Sequence, residues 1–162
     1  MNDAHLHLLV NHFPIISSIV GLLILVAGFV FKNIIVKRTA LGVLIISSLM
    51  AFPANFTGEG AEHMVEELPG ISHATIEEHE ETAETFLLVA GFLGLLSIVT
   101  LLVDVKKFPA ARILYVVVLI TSIGVVVFAA QTGTTGGKIR HPEIEEGFQK
   151  ASPAHSEEGT EH

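Results

Sequence analysis

The chain contains no cysteine. That excludes disulfides, thiolate metal sites, iron–sulfur ligands and the Cys-x-x-Cys-His attachment of a c-type haem, and leaves histidine and carboxylate as the strong ligands. Charge is also scarce, at 16% of residues, and none of it falls inside the four long apolar segments. A proton relay or ion pathway through a membrane needs such residues, so transport by this chain alone is not expected. The Glu-x-x-His pairs of carboxylate-bridged di-iron bundles are missing. A phosphate loop is missing too: Gly136-Gly137-Lys138 has Thr132 where the upstream glycine belongs and Ile139 where Ser or Thr should follow. Nucleotide and nucleic-acid binding are not expected.

Half of the 162 residues are hydrophobic. The apolar segments run over 13–31, 40–56, 86–103 and 113–130, each long enough to cross a hydrocarbon core of roughly 30 Å at about 1.5 Å per helical residue. The fold class read from this is all-α: an integral membrane four-helix bundle forming one domain over 1–147. The first segment lacks a basic n-region and a small-x-small cleavage site, and its apolar run is too long for a signal peptide, so a permanent span is expected. A polar tail over 148–162, with no apolar period, is expected to be disordered.

Lys32, Lys37, Arg38, Lys106, Lys107 and Arg112 fall in the first and third connections, against Lys138, Arg140 and Lys150 on the other side. The positive-inside rule then places both termini outside. The expected location is a bacterial inner membrane, multi-pass, with N and C termini in the periplasm. All nine histidines and every acidic residue except Asp104 share the outer side.

The histidines divide. His155 and His162 lie in the tail and His5 is peripheral. His7 and His12 approach the first span, and counting about 20 residues back from Lys32 puts His12 at the membrane edge. Pro14 removes a backbone donor and frees a carbonyl near Val10. In the acidic outer loop, 57–85, Pro69-Gly70 marks a turn. His73 to Thr85 is expected to extend the third span as a helix. His63 and His79, each seven residues from its span, would then stand roughly 10 Å above the apolar band and face one another. Gly133, Gly136 and Gly137 are expected to turn the chain tightly and return His141 to the bundle. Lys138 and Arg140 would pair with the acidic loop or with haem propionates.

Two chemistries fit histidines from several helices. A haem wedged in a bundle needs two axial imidazoles and an apolar slot, which Phe13, Phe52, Phe56 and Phe86 could line. Alternatively, imidazole with Glu59, Glu62, Glu66, Glu77, Glu78, Glu80, Glu81 and Glu84 suits zinc, iron, copper or manganese.

The segment His7-Leu-Leu-Val-Asn-His12-Phe13-Pro14 resembles the His-Pro-x-x-x-His-Phe-Pro opening of a bacterial family of uncharacterised four-span membrane proteins, a predicted membrane domain of unknown function. Pro53-Ala54 with Thr57-Gly58, His79 ahead of the third span, and Thr132-Gly133-Thr-Thr-Gly136-Gly137 with His141 following are similar to its later motifs, over about residues 5 to 145. The sequence departs from the pattern at Leu8, in place of proline, and at Glu59-Gly-Ala-Glu62, where the family often has an aromatic-rich step. The resemblance implies a b-type haem and an association with cytochrome c domains or respiratory components.

The leading expectation is therefore a b-type cytochrome-like electron carrier rather than a stand-alone enzyme, holding one or two haems near the periplasmic face. It would pass electrons between a quinol or membrane oxidoreductase and a periplasmic cytochrome, free or as a subunit of a respiratory or other redox complex or oligomer. His12, His63, His79 and His141 are the first candidate ligands, for haem or for a metal, with His7 and His73 next. The alternatives are a periplasm-facing metal-binding membrane protein using His and Glu for Cu, Zn or Fe, and an accessory subunit that docks a partner through its acidic loop and uses its histidines at interfaces or as pH sensors.

Overall fold

Five helices account for the ordered chain in the computed structural model, which describes residues 3–66 and 72–141: α1 (Asp3–Val10), α2 (His12–Val30), α3 (Ile34–Val65), α4 (His73–Val105) and α5 (Ala111–Arg140). No strand occurs among the described residues. Four stretches are long and apolar enough to cross a membrane, α1 with α2 forming one of them. The expected membrane four-helix bundle is the observed architecture.

The helix breaks follow from local chemistry. Pro14 has no N–H, and its ring crowds the carbonyl four residues earlier, at Val10. The helix is interrupted there, at Asn11. One turn further on, Ser47 Oγ of α3 donates to the Pro14 carbonyl at 2.8 Å and ties the start of α2 to α3. At the opposite end of the bundle the two short turns are built alike. Lys32 (φ 52°) and Lys107 (φ 59°) adopt the left-handed conformation that stops a helix. Asn33 N–H reaches back to the Gly28 carbonyl and Phe108 N–H to that of Val103, closing orphan acceptors in the Schellman manner. Asn33 Oδ1 then caps α3, accepting from the amides of Ile35 and Val36.

Around the bundle, α2 packs on α3 and α5, and α4 packs on the same two, so α2 and α4 are diagonal. The core is narrow. Leu25, Leu41, Leu44, Leu93, Val118 and Val125 are fully buried together with Ser18, Ser97, Thr100 and Ser122. Small residues of this kind let transmembrane helices approach closely. The outward faces are apolar instead: Ile35, Leu88, Phe56 and Phe31 are 70% exposed or more. A surface of that character suits hydrocarbon rather than water.

Helices α3 and α4 contain 32 and 33 residues. At about 1.5 Å per residue each is nearly 50 Å long, well beyond a hydrocarbon core of roughly 30 Å. The charged turns fix one membrane border. Counting about 20 residues from them places the other near residues 12, 58, 84 and 132, so the excess length lies at the histidine-bearing end. His73 to Thr85 is helical, as its composition predicts. The glycine-rich segment departs from expectation, for α5 runs through Gly133, Gly136 and Gly137 to Arg140 without turning. The tail 148–162, and with it His155 and His162, lies outside the described residues.

Candidate functional site: two imidazoles on diagonal helices

Beyond the apolar segments α1 lies along α3 and touches α2, but makes no contact with α4 or α5. His7, on α1, and His79, on α4, both lie at this end of the bundle. His79 is near enough to His7 that a charge on His7 lowers its pKa. Both rings are partly buried.

Each ring is held through Nδ1. His7 Nδ1 lies 3.0 Å from the Ala54 carbonyl and 3.3 Å from Thr57 Oγ1. A carbonyl only accepts, so Nδ1 carries the proton and donates. Thr57 in turn donates to the carbonyls of Pro53 and Ala54, one turn back along α3. His79 Nδ1 lies 3.0 Å from Thr135 Oγ1. That hydroxyl donates to the Thr132 carbonyl at 3.1 Å, which leaves its oxygen to accept from His79. Thr82 Oγ1 sits 2.9 Å from the same hydroxyl, and Thr132 Oγ1 reaches the Thr82 carbonyl at 3.2 Å. Three threonines thus bolt α4 to α5 beside the ring. Neither Nε2 has a hydrogen-bond partner among the described residues.

Glycine explains how the rings fit. A Cβ at Gly136 would stand 2.9 Å from His79 Cε1, too close for any side chain, and one at Gly58 would meet His7 Cε1 at 3.4 Å. The glycines of α5 therefore provide a flat helix face for an imidazole.

Burial is the main force on both rings and lowers both pKa values. Carbonyls at Ala54 and Thr132 oppose it, while the charge of His12 lowers His7 further and that of His7 lowers His79 further. Both shifts favour the neutral imidazole, with Nδ1 engaged and Nε2 without a hydrogen-bond partner among the described residues. Asn11 stands one turn from His7, and its buried Oδ1 has no partner.

The remaining candidates are placed elsewhere. His12, adjacent to the break, is exposed, as are His63 near the end of α3 and His141 at the end of α5. His73 is exposed and pairs with Glu66 at 3.2 Å. Among the described residues no three His, Cys, Asp or Glu side chains form a group that could hold a metal ion. Lys138 is committed to Glu78 at 3.3 Å, the acidic-loop pairing rather than the propionate one. Phe86 is buried in the core, while Phe13, Phe52 and Phe56 are exposed. Phe52 and Phe56 line an open groove with Pro53, Asn55, Glu59 and Leu87 on the flank of α3 and α4.

Next to His79, Glu80 is hydrogen-bonded to Glu62, and together with partial burial and the charges of Glu62, Glu84 and Glu59 this pushes its pKa up to about 7. Thr82 is the member of the site that sequence reasoning passed over, while Asn11, Thr57, Thr132 and Thr135 fall inside the motifs but had no role assigned there. The Thr132/Thr135 spacing of three residues was the available signal, legible only once 132–140 is taken as helix.

No family model matches the chain, and neither a curated protein nor a solved structure is similar to it.

Proposed function

We propose that this protein is a small b-type cytochrome of the membrane, with His7 and His79 as the two axial ligands of one haem. The observation that carries the proposal is the matched pair of neutral imidazoles on diagonal helices, each oriented through Nδ1 with Nε2 left open. Ligating histidines are held in this way, the second-shell acceptor fixing both tautomer and ring plane. The donor set fits: two nitrogens from different helices, flanked by glycines rather than bulky side chains, with a buried unpartnered amide oxygen at Asn11 beside them.

Bound haem would supply one-electron transfer. The chain's own part is to hold two rings, exclude bulk water through partial burial, and keep both nitrogens unprotonated at neutral pH. Electrons would pass between a quinol or membrane oxidoreductase and a periplasmic acceptor, the lysine- and arginine-rich end lying in the cytoplasm of a bacterial inner membrane. A site with three or more His and Glu ligands has less support, for want of a convergent group among the described residues.

The test is the visible spectrum of protein purified from a haem-replete host. Reduced b-type α and Soret bands are expected, lost in His7→Ala and in His79→Ala and retained in His12→Ala, His63→Ala, His73→Ala and His141→Ala. If both His7 and His79 can be removed without loss of haem, the ligand assignment is wrong; if the parent protein is colourless, so is the function.

A further inference from the structure

At the other end of the bundle, Phe29, Ile34, Lys37, Asp104, Ala111, Arg112 and Tyr115 enclose a pocket of about 210 Å³ where α2, α3, α4 and α5 meet the charged turns. Its one carboxylate is already satisfied. Arg38 Nε donates to Asp104 Oδ2 at 2.7 Å and the Tyr115 hydroxyl donates to the same oxygen at 3.2 Å. Lys37 is different. Its stem passes over Gly28, where even a methyl group would collide with Lys37 Cγ. Its ammonium lies 3.9 Å from the centroid of the Phe29 ring and 5.5 Å from that of Tyr115. Neither Lys37 nor Arg112 forms an ion pair with a carboxylate among the described residues.

The pocket thus presents two cations without a counter-ion, one of them held in place by packing and aromatic faces. Its height matters as well. Lys37 stands three residues before the apolar segment at 40 and Arg112 one residue before that at 113, which is the level of lipid headgroups. The neighbouring Phe31, Ile35 and Ile113 are largely exposed and offer apolar surface directly beside the cations. A soluble anion would use only the charges, whereas a phosphodiester carrying acyl chains uses both features. We infer that Lys37 and Arg112 form a binding site for the headgroup of an anionic phospholipid, one lipid bound between the turns that join α2 to α3 and α4 to α5.

This site lies at the opposite end from the paired imidazoles, and its test needs no haem. The purified full-length protein is titrated in detergent with dioleoyl phosphatidylglycerol or dioleoyl phosphatidylcholine, and bound lipid is counted by native mass spectrometry. One retained phosphatidylglycerol is expected, with phosphatidylcholine bound far more weakly. Lys37→Gln/Arg112→Gln should weaken the anionic lipid about thirtyfold, the loss expected for two cations near a headgroup. Lys106→Gln/Lys107→Gln removes the same charge outside the pocket and should leave binding unchanged. Arg112→Gln alone, a change at an exposed side chain, guards against misfolding of the double variant and should give part of the loss. Equal binding of both lipids, or equal losses in the two double variants, would overturn the inference. So would displacement of the lipid by millimolar inorganic phosphate, which would identify a site for free phosphate instead.

Discussion

His79 depends on Thr135 and Gly136, which act on the ring in different ways. Thr135→Val keeps the shape of the side chain but removes the acceptor for Nδ1–H and the contact with Thr82. A loss of about 1 kcal/mol in stability is expected, with a larger loss of haem retention because the ring plane is no longer held. Gly136→Ala leaves every hydrogen-bonding group in place but pushes a methyl group into Cε1. It should abolish the haem spectrum while circular dichroism still reports a helical protein. Glu80 makes a separate prediction. Its folded pKa of about 7 lies above its ordinary value of 4.5, so its contribution to stability is full below the ordinary value and disappears as pH rises through 7. Protection of the amides at the outer ends of α3 and α4, taken relative to their intrinsic exchange rate, should fall between about pH 5 and pH 8, and Glu80→Gln, neutral throughout, should flatten that profile.

Among the elements, helical spacing along α1 and the start of α2 decides which histidine faces inward, for Asn11 between them keeps helical dihedrals and its N–H bonds the His7 carbonyl. Along a continuous helix residues 7 and 12 are about 140° apart, so a single face cannot hold both. Counting from Lys32 predicts their height but not their direction, which is why the sequence points to His12 and the structure directs His7 between the helices. The spans themselves were legible because apolar and charged residues alternate in long blocks. The extensions of α3, α4 and α5 beyond the membrane were harder to read, since a polar helix has no such contrast and a glycine-rich one resembles a turn. Pro14→Ala should let α1 and α2 fuse: the new amide at 14 would pair with the Val10 carbonyl and resist hydrogen exchange.

At the scale of the whole molecule, the topology proposed from the positive-inside rule puts the longer, acidic end on the periplasmic side. The absence of cysteine makes this directly measurable. Single cysteines introduced at Glu66 and at Lys107 should differ in intact cells, the first reacting with a membrane-impermeant maleimide and the second only after permeabilisation. The reverse pattern would invert the topology and place the imidazole pair on the cytoplasmic side. What could be read ahead of the fold at this scale was the number of helices and the end that carries the histidines. That His7 comes near His79 was not legible, for the alanine carbonyl, threonines and glycines that hold the two rings do not announce an imidazole partner.

The seating of α1 has a consequence for how a cofactor would enter. This helix of eight residues rests on α3 and on the start of α2, with neither α4 nor α5 against it, and the side chain that ties it to Ala54 and Thr57 belongs to a proposed ligand. Docking of the helix and capture of the haem are then a single equilibrium. The apparent affinity would include the free energy of ordering α1, and the empty protein would exchange its α1 amides faster than the loaded one. The N-terminal segment would then work as a latch whose bolt is also the proposed ligand.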